Sequence, residues 1–194
     1  MAARKSKVFV ITGPSGVGKG TLIAKLRERV PELELSISAT TRSPREGEED
    51  GVAYHFLSTA EFDRRVAADE FLEHARYSGN QYGTLRSEVD DRIGNGHPVV
   101  LEIEVQGAEQ IRGTMPEAIQ LFITPPEPAL ETLLGRLAGR GTDSAEAIEG
   151  RMEVAERELE ARHEFHHQVV NDDLERATDE LEAIVRRKLS ELTQ

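Results

Sequence analysis

Apolar runs divide the chain into segments typical of alternating strands and helices. Residues 7–12 (KVFVIT) form a continuous β-branched run, as in a strand buried on both faces. The runs 98–105 (PVVLEIEV) and 118–124 (AIQLFIT) predict inner strands, and 168–171 (QVVN) predicts a short last strand. Helical segments lie between these runs, which indicates a parallel sheet covered on both faces.

Helical spacing predicts one helix after the first strand and another at the end of the chain. The apolar positions of the first helix precede Pro31, and the second occupies residues 172–194. The apolar residues of the first are Leu22, Ile23, Leu26 and Val30, and those of the second are Leu174, Leu181, Ile184, Val185 and Leu189.

Two stretches interrupt the strand–helix alternation. Residues 36–86 are rich in Gly, Ser, Thr, Arg and Tyr, and 127–160 are strongly charged. In the first stretch, Ser58 and Glu61 form a capping box that predicts a helix through Ala67. We interpret both stretches as insertions on the core, where substrate sites and lids are commonly built.

Composition restricts the function classes. A length of 194 residues predicts a single domain, and a net charge of −12 argues against binding of a nucleic-acid polymer. The chain has no cysteine, which excludes disulfides and thiolate metal sites. Residues 1–7 do not resemble a signal peptide, and no later run is long enough to span a membrane, so we expect a cytoplasmic protein.

A glycine-rich motif follows the first predicted strand. Residues 13–21 (GPSGVGKGT) supply glycines whose backbone N–H groups can surround an anion, a helix N terminus behind it, and Lys19 to bridge phosphates. Strand, loop and helix in this order predict a phosphate-binding loop. The residue after Lys19 is Gly20, where Ser or Thr commonly binds Mg²⁺, and a hydroxyl comes only at Thr21.

The Lys-Gly-Thr ending is typical of nucleoside monophosphate kinases. Because Gly20 has no side chain, we expect Mg²⁺ to be held by the ATP phosphates and water and by no direct protein ligand. A second basic cluster contains Arg42 and Arg45 on either side of a Ser-Pro turn, with Tyr54 downstream. Two arginines in a rigid turn can bind one phosphate, and the tyrosine can add a donor.

Five motifs in this order resemble those of guanylate kinase, over about residues 8–173. They are GPSGVGKGT, SATTRSPREGE with GVAYHF, FLEHARYSGNQYGT, GRGTDS and VNDD. The resemblance implies an α/β fold with a P-loop NTPase-type parallel sheet core flanked by helices, a mixed α/β GMP-binding insertion and a helical lid. It assigns residues 1–35, 87–126 and 161–194 to the core, 36–86 to GMP binding and 127–160 to the lid.

The resemblance also implies the activity and its site residues. The reaction is ATP-dependent phosphorylation of GMP, with dGMP as a further acceptor because none of the proposed contacts reads the 2′-hydroxyl. The implied GMP-binding residues are Ser38, Arg42, Arg45, Tyr54, Glu73, Tyr82, Thr84 and Glu102. The implied ATP-binding residues are Gly13, Pro14, Ser15, Gly16, Val17, Gly18, Lys19, Gly20, Thr21, Arg136, Arg140 and Asn171. The implied catalytic residues are Lys19, Arg42, Arg136, Arg140 and Arg151.

Chemistry supports the implied role of Glu73. Guanine presents N1–H and an exocyclic amine side by side, and one carboxylate can accept from both. Adenine has an acceptor at N1, which would leave the buried carboxylate unpaired. Hydroxyls from Ser38 and Thr84 can donate to guanine O6.

One segment departs from the family pattern. Where the family commonly has aspartates, this chain has Glu102 and Glu104, whose longer side chains can alter the contacts to guanine or to the water around Mg²⁺. We expect Thr21 and Glu104 to approach the metal only indirectly. The cluster His163, His166 and His167 lacks the acidic or thiol partners of a metal site, and a surface or helix-end role is the favoured interpretation.

Three other functions remain open at this point. One is a catalytically inactive guanylate-kinase-like domain that binds proteins, and another is a small-molecule kinase with another phosphorylated acceptor. The third is a structural role with vestigial nucleotide binding, which ATP turnover would exclude. ATP and GMP are the expected partners, with no membrane, and the sequence is compatible with a monomer or a homo-oligomer.

Overall fold

The computed structural model describes residues 8–77, 79–139 and 145–192. Its strands are β1 (Val8–Thr12), β2 (Glu34–Leu35), β3 (Ala39–Thr40), β4 (His55–Phe56), β5 (Phe71–Tyr77), β6 (Asn80–Leu85), β7 (Val99–Glu102), β8 (Ile119–Thr124) and β9 (His167–Val170). Its helices are α1 (Lys19–Arg29), α2 (Thr59–Ala67), α3 (Arg86–Gly94), α4 (Val105–Thr114), α5 (Ala129–Ala138), α6 (Ala145–Glu160) and α7 (Leu174–Leu192), with a 3₁₀ turn at Ala161–Glu164.

The main sheet has five strands in the order β2-β7-β1-β8-β9, and every neighbouring pair is parallel. All five residues of β1 are buried, so both faces of the central strand are covered. The predicted parallel core is therefore confirmed, with β7 and β8 as inner strands. Ile11 on β1 pairs in register with Glu102 on β7, which places Glu102 beside the loop that leaves β1.

A second sheet lies within the first predicted insertion. Its order is β4-β3-β6-β5, and β6 is antiparallel to both of its neighbours. A small core supports it, in which the rings of Phe62 and Phe71 stack with centroids 4.4 Å apart. Ser58 caps α2 by accepting a hydrogen bond from the Glu61 backbone N–H at 3.1 Å, as the capping box predicted. The mixed α/β insertion is thus confirmed as a structural feature.

Helices α5, α6 and α7 make up most of the second insertion and the end of the chain. Helices α5 and α6 occupy most of residues 127–160, which we call the helical segment. Helix α7 buries Leu181, Ile184 and Val185 against the core, as its apolar spacing predicted. Among the described helices, none combines the length and the apolar character that a membrane span needs.

The prediction of one strand over 98–105 was wrong at its end. Strand β7 stops at Glu102, and Glu104 is the N-cap of α4. Val105, Ala108 and Ile111 are buried on one face of that helix, so the apolar run ended in the first turn of a helix. A short apolar run does not distinguish these two structures.

Candidate active site

The phosphate-binding loop connects β1 to α1 in a conformation that requires glycine. Gly13 has φ 147°, and a Cβ there would lie 2.3 Å from the carbonyl oxygen of Ile123 on β8. Gly18 adopts the left-handed conformation (φ 97°) immediately before α1. The first backbone N–H groups of a helix have no partner within that helix, so this end of α1 can receive an anion.

Lys19 is the first residue of α1, and its side chain reaches back to the start of the loop. Its side chain is buried, and Nζ donates to the carbonyl oxygen of Gly13 at 2.5 Å. Glu102 faces the same end of α1, because a Cβ built on Gly20 would lie 3.5 Å from Glu102 Oε1. Burial raises the pKa of Glu102, and the charge of Lys19 partly opposes that rise. A positive charge from Lys19 and an acid from β7, Glu102, therefore lie together at the loop.

The helical segment contributes two arginines to the loop. Arg136 donates to the carbonyl oxygens of Val17 at 3.0 Å and of Asn171 at 2.7 Å. Arg151 donates from Nε and Nη2 to the hydroxyl of Ser15 at 3.1 and 2.8 Å. The side chain of Asn171 also holds the loop, donating from Nδ2 to Val17 at 2.7 Å. Arg140, the third arginine predicted here, lies outside the described residues.

A cleft of about 280 Å³ joins the loop to the second sheet. Lys19 and Glu102 from the core line it together with Ser38, Glu73 and Tyr82 from the insertion. The structure thus brings together residues from the phosphate loop and from the insertion, which are far apart in the sequence. This juxtaposition brings residues predicted to bind the acceptor next to the predicted phosphate-binding loop.

Glu73 is the buried acid of this cleft. It lies on β5, only 4% exposed, and its Oε1 accepts a hydrogen bond from the Thr84 hydroxyl at 2.8 Å. Burial raises its pKa to about 7, although the hydrogen bonds from Thr84 oppose the rise, and Glu104 adds a smaller increase. Because the Thr84 hydroxyl donates its one proton to Glu73, it must rotate before it can donate to guanine O6.

Arg42, Tyr54 and Tyr82 form one cluster, of which Tyr54 and Tyr82 line the cleft. The Arg42 guanidinium lies 5.2 Å from the centre of the Tyr54 ring, and the Tyr54 and Tyr82 ring centroids are 6.1 Å apart. Burial raises the pKa of Tyr54, which keeps its hydroxyl protonated as a donor. Arg45 lies in the same turn with its side chain exposed to solvent.

Sequence reasoning missed the acid that pairs with Arg42. Glu48 accepts from Nη1 and Nη2 of Arg42 at 2.9 Å each, and from the Arg45 backbone N–H at 2.7 Å. These bonds hold the pKa of Glu48 below its usual value. The acids Glu46, Glu48 and Glu49, which follow Arg42 and Arg45 within residues 42–49, were the available signal. Glu48 therefore occupies the same donors that a phosphate would need.

Glu158 was also missed as part of the site. It lies on α6, is buried, and faces Glu104 near the loop. Burial, followed by the facing carboxyl of Glu104, raises the pKa of Glu158. In the sequence, Glu158 is one of many charged residues within 127–160, and only the packing of α6 against the core distinguishes it from the others.

The acids near the loop fit a metal that arrives with a nucleotide. Within residues 8–77, 79–139 and 145–192, no three histidine or acidic side chains form a group that could hold a metal ion. One buried carboxylate oxygen of Glu104 has no hydrogen-bond partner in that same part of the chain, so it can accept from a metal-bound water. Thr21 is exposed on the first turn of α1, and His163 and His166 are exposed as well.

Comparisons with known proteins agree with this geometry. The guanylate kinase family model matches residues 5–188. A guanylate kinase of Synechococcus sp. (strain CC9311) is 56% identical over 89% of this chain and 90% of that protein. Another, of Thermobifida fusca (strain YX), is 50% identical over 92% of this chain and 90% of its own. The crystal structure of guanylate kinase from Anaplasma phagocytophilum has a TM-score of 0.75 and 28% identity, and the match covers 95% of this chain and 87% of that one. The chain therefore belongs to the guanylate kinase family.

Proposed function

We infer that this protein transfers the γ-phosphoryl group of ATP to GMP, and to dGMP, giving ADP and GDP or dGDP. One observation carries the inference: Glu73 and Lys19, both buried, line the same cleft. One end offers a carboxylate for a purine with two adjacent N–H donors, and the other offers a phosphate-binding loop. Such a cavity fits a nucleoside monophosphate whose phosphate points toward the loop.

We assign the acceptor end to GMP. Glu73 would accept from N1–H and the exocyclic amine of guanine, with Ser38 and Thr84 near O6. The GMP phosphate would take the donors of Arg42 that Glu48 now occupies, with Tyr54, Tyr82 and Arg45 beside it. Glu102 lines the cleft beside the loop, where it would orient the acceptor.

We assign the loop end to ATP. Residues 13–21 would surround the outer phosphates, with Lys19 bridging them, and Asn171 would lie near the adenine. The helical segment would act as the lid, bringing Arg136 and Arg151 to the phosphates and excluding water. Arg140 belongs to the same proposed set.

In-line transfer needs positioning and charge neutralisation more than covalent chemistry. The GMP phosphate oxygen attacks the γ-phosphorus, and the bond to the bridging oxygen of ADP breaks. Lys19, Arg42 and the lid arginines would stabilise the charge on the transferred group. Glu104 and Thr21 would lie near the Mg²⁺ that ATP carries, and that ion would add charge neutralisation when bound.

We further propose that the protein acts in the cytoplasm, in purine nucleotide metabolism and the recycling of GMP. Its acidic balance fits free nucleotides better than a nucleic-acid polymer, because the positive charges of the site are local. The division into core, GMP-binding and lid subdomains is part of the same proposal.

A substrate panel tests the function. ADP release is measured with Mg-ATP and, in turn, GMP, dGMP, AMP, UMP and CMP. We expect turnover with GMP and dGMP alone. Turnover with AMP, UMP or CMP in place of GMP would point to another acceptor. If a folded protein binds nucleotide and turns over none of the five, it is a binding module.

The pH dependence of GMP use tests the state of Glu73. Its pKa of about 7 in the free protein means that the carboxyl is largely protonated below that pH, and only the ionised form accepts from both N–H groups. We therefore expect kcat/KM for GMP to rise as pH increases from about 6 to 8. The GMP phosphate also titrates near this range, so Glu73→Gln serves as the reference. A rise that is equally steep in Glu73→Gln would contradict this origin.

A further inference from the structure

Helix α4 forms a wall behind Glu73. A Cβ built on Gly107 would lie 2.5 Å from Glu73 Oε2 and 3.0 Å from Glu73 Cδ. No real Cβ approaches an oxygen so closely, so a side chain at position 107 would force the carboxylate to move. Gly107 itself is buried within a regular helix, where glycine is unfavourable relative to alanine. The cost to the helix indicates that the absence of a side chain at position 107 makes room for the Glu73 carboxylate.

The same helix holds the strand that carries Glu73. Gln110 accepts a hydrogen bond from the His74 backbone N–H at 3.1 Å and donates one to the His74 carbonyl oxygen at 2.8 Å. Strand β5 is at the edge of its sheet, and its pairing with β6 shifts register between Phe71 and Glu73. Gln110 therefore replaces a missing strand partner next to that irregularity.

We propose that Gly107 is a specificity-determining position and Gln110 a positioning residue for recognition of the guanine amine. Gly107 leaves the room in which the Glu73 carboxylate can reach both N1–H and the exocyclic amine, and Gln110 fixes the backbone from which it projects. This inference rests on the proposed role of Glu73 as the base-reading acid. It assigns to α4 a part in specificity although α4 lies outside the insertion.

The decisive comparison is between GMP and inosine monophosphate, whose base keeps N1–H and O6 but lacks the exocyclic amine. The ratio of their dissociation constants, measured by calorimetry, reports the amine contact alone. We expect Gly107→Ala to reduce the preference for GMP about tenfold or more, because the displaced carboxylate loses a charge-assisted hydrogen bond. The KM for ATP should stay unchanged.

Gly113→Ala is the matched control. It makes the same substitution on the same helix, where an added Cβ would meet no atom within 4 Å. We expect it to leave the preference for GMP unchanged. An equal loss in Gly107→Ala and Gly113→Ala would overturn the proposal, since the effect would then belong to the helix as a whole.

Gln110→Ala keeps the test informative if Gly107→Ala does not fold. Gln110 is partly exposed, and its neighbour Glu109 provides the control Glu109→Ala. A reduced preference for GMP in Gln110→Ala with unchanged kcat at saturating GMP supports positioning, and an unchanged preference overturns it. Glu73→Gln separates the two levels. If Glu73→Gln keeps the full preference for GMP over inosine monophosphate, the base-reading role of Glu73 fails. If Glu73→Gln loses that preference while Gly107→Ala and Gln110→Ala keep it, only the role of α4 fails.

Discussion

Lys19→Ala is expected to lower kcat on the order of 10³-fold while the protein stays folded. Lys19 is the buried cation at the centre of the phosphate loop, and its Nζ lies 2.5 Å from the carbonyl oxygen of Gly13. Charge that develops on the transferred phosphoryl group would lose a preorganised partner, which no water molecule replaces equally well. The fold should persist because Glu102, which faces the same end of α1, can take up a proton when the cation is gone.

The control for this variant is Lys25→Ala. Lys25 lies on the same helix and forms an exposed ion pair with Glu175, so its removal should change stability little and activity not at all. Steady-state kinetics and a thermal melt of both variants make the comparison. Near-normal turnover in Lys19→Ala would remove Lys19 from the mechanism. Equal losses in both variants would point to a general effect of lost positive charge.

Local features of this site could be predicted from the sequence. The loop conformation depends on glycines at fixed places between a strand and a helix, and the backbone of Gly13 and Gly18 has the positive φ angles that such a loop needs. The capping box at Ser58 is local in the same sense. The error at residues 98–105 was local too, because a strand end and a buried helix start share the same apolar pattern.

Contacts between distant segments could not be predicted from periodicity. Glu73 follows two buried apolar residues, Phe71 and Leu72, on a strand with a register shift, so alternation gave no sign that it is buried. Its role came from the family resemblance. Gly107 and Glu158 depend on how α4 and α6 pack against other elements, and neither residue type has a pattern that reports such packing.

Glu73→Gln is expected to lower kcat/KM for GMP roughly 10³-fold with little change in the KM for ATP. The substitution keeps the size of the side chain and its acceptor for the Thr84 hydroxyl. It replaces one carboxylate oxygen by an NH₂ group, which would face an N–H donor of guanine and leave both unpaired in a buried site. The loss should therefore appear mainly as a higher KM for GMP.

We expect the stability of Glu73→Gln to stay the same or rise although its activity with GMP falls. Burial raises the pKa of Glu73 to about 7, so the folded protein above that pH contains a desolvated carboxylate. The unfavourable contribution of that carboxylate to the free energy of unfolding grows as pH rises from the unfolded pKa of about 4.3 through 7, and an amide avoids it. We expect Glu73→Gln to melt at the same or a higher temperature at pH 8, which separates lost recognition from lost folding.

The control is Glu49→Gln, an exposed acid in the same insertion. It should leave both kinetics and melting temperature unchanged. If Glu73→Gln lowers kcat/KM equally for GMP and ATP, the carboxylate serves the general geometry of the cleft and does not read the base. If it lowers only the GMP value and raises the melting temperature, Glu73 is a buried acid whose cost to stability is retained for specificity.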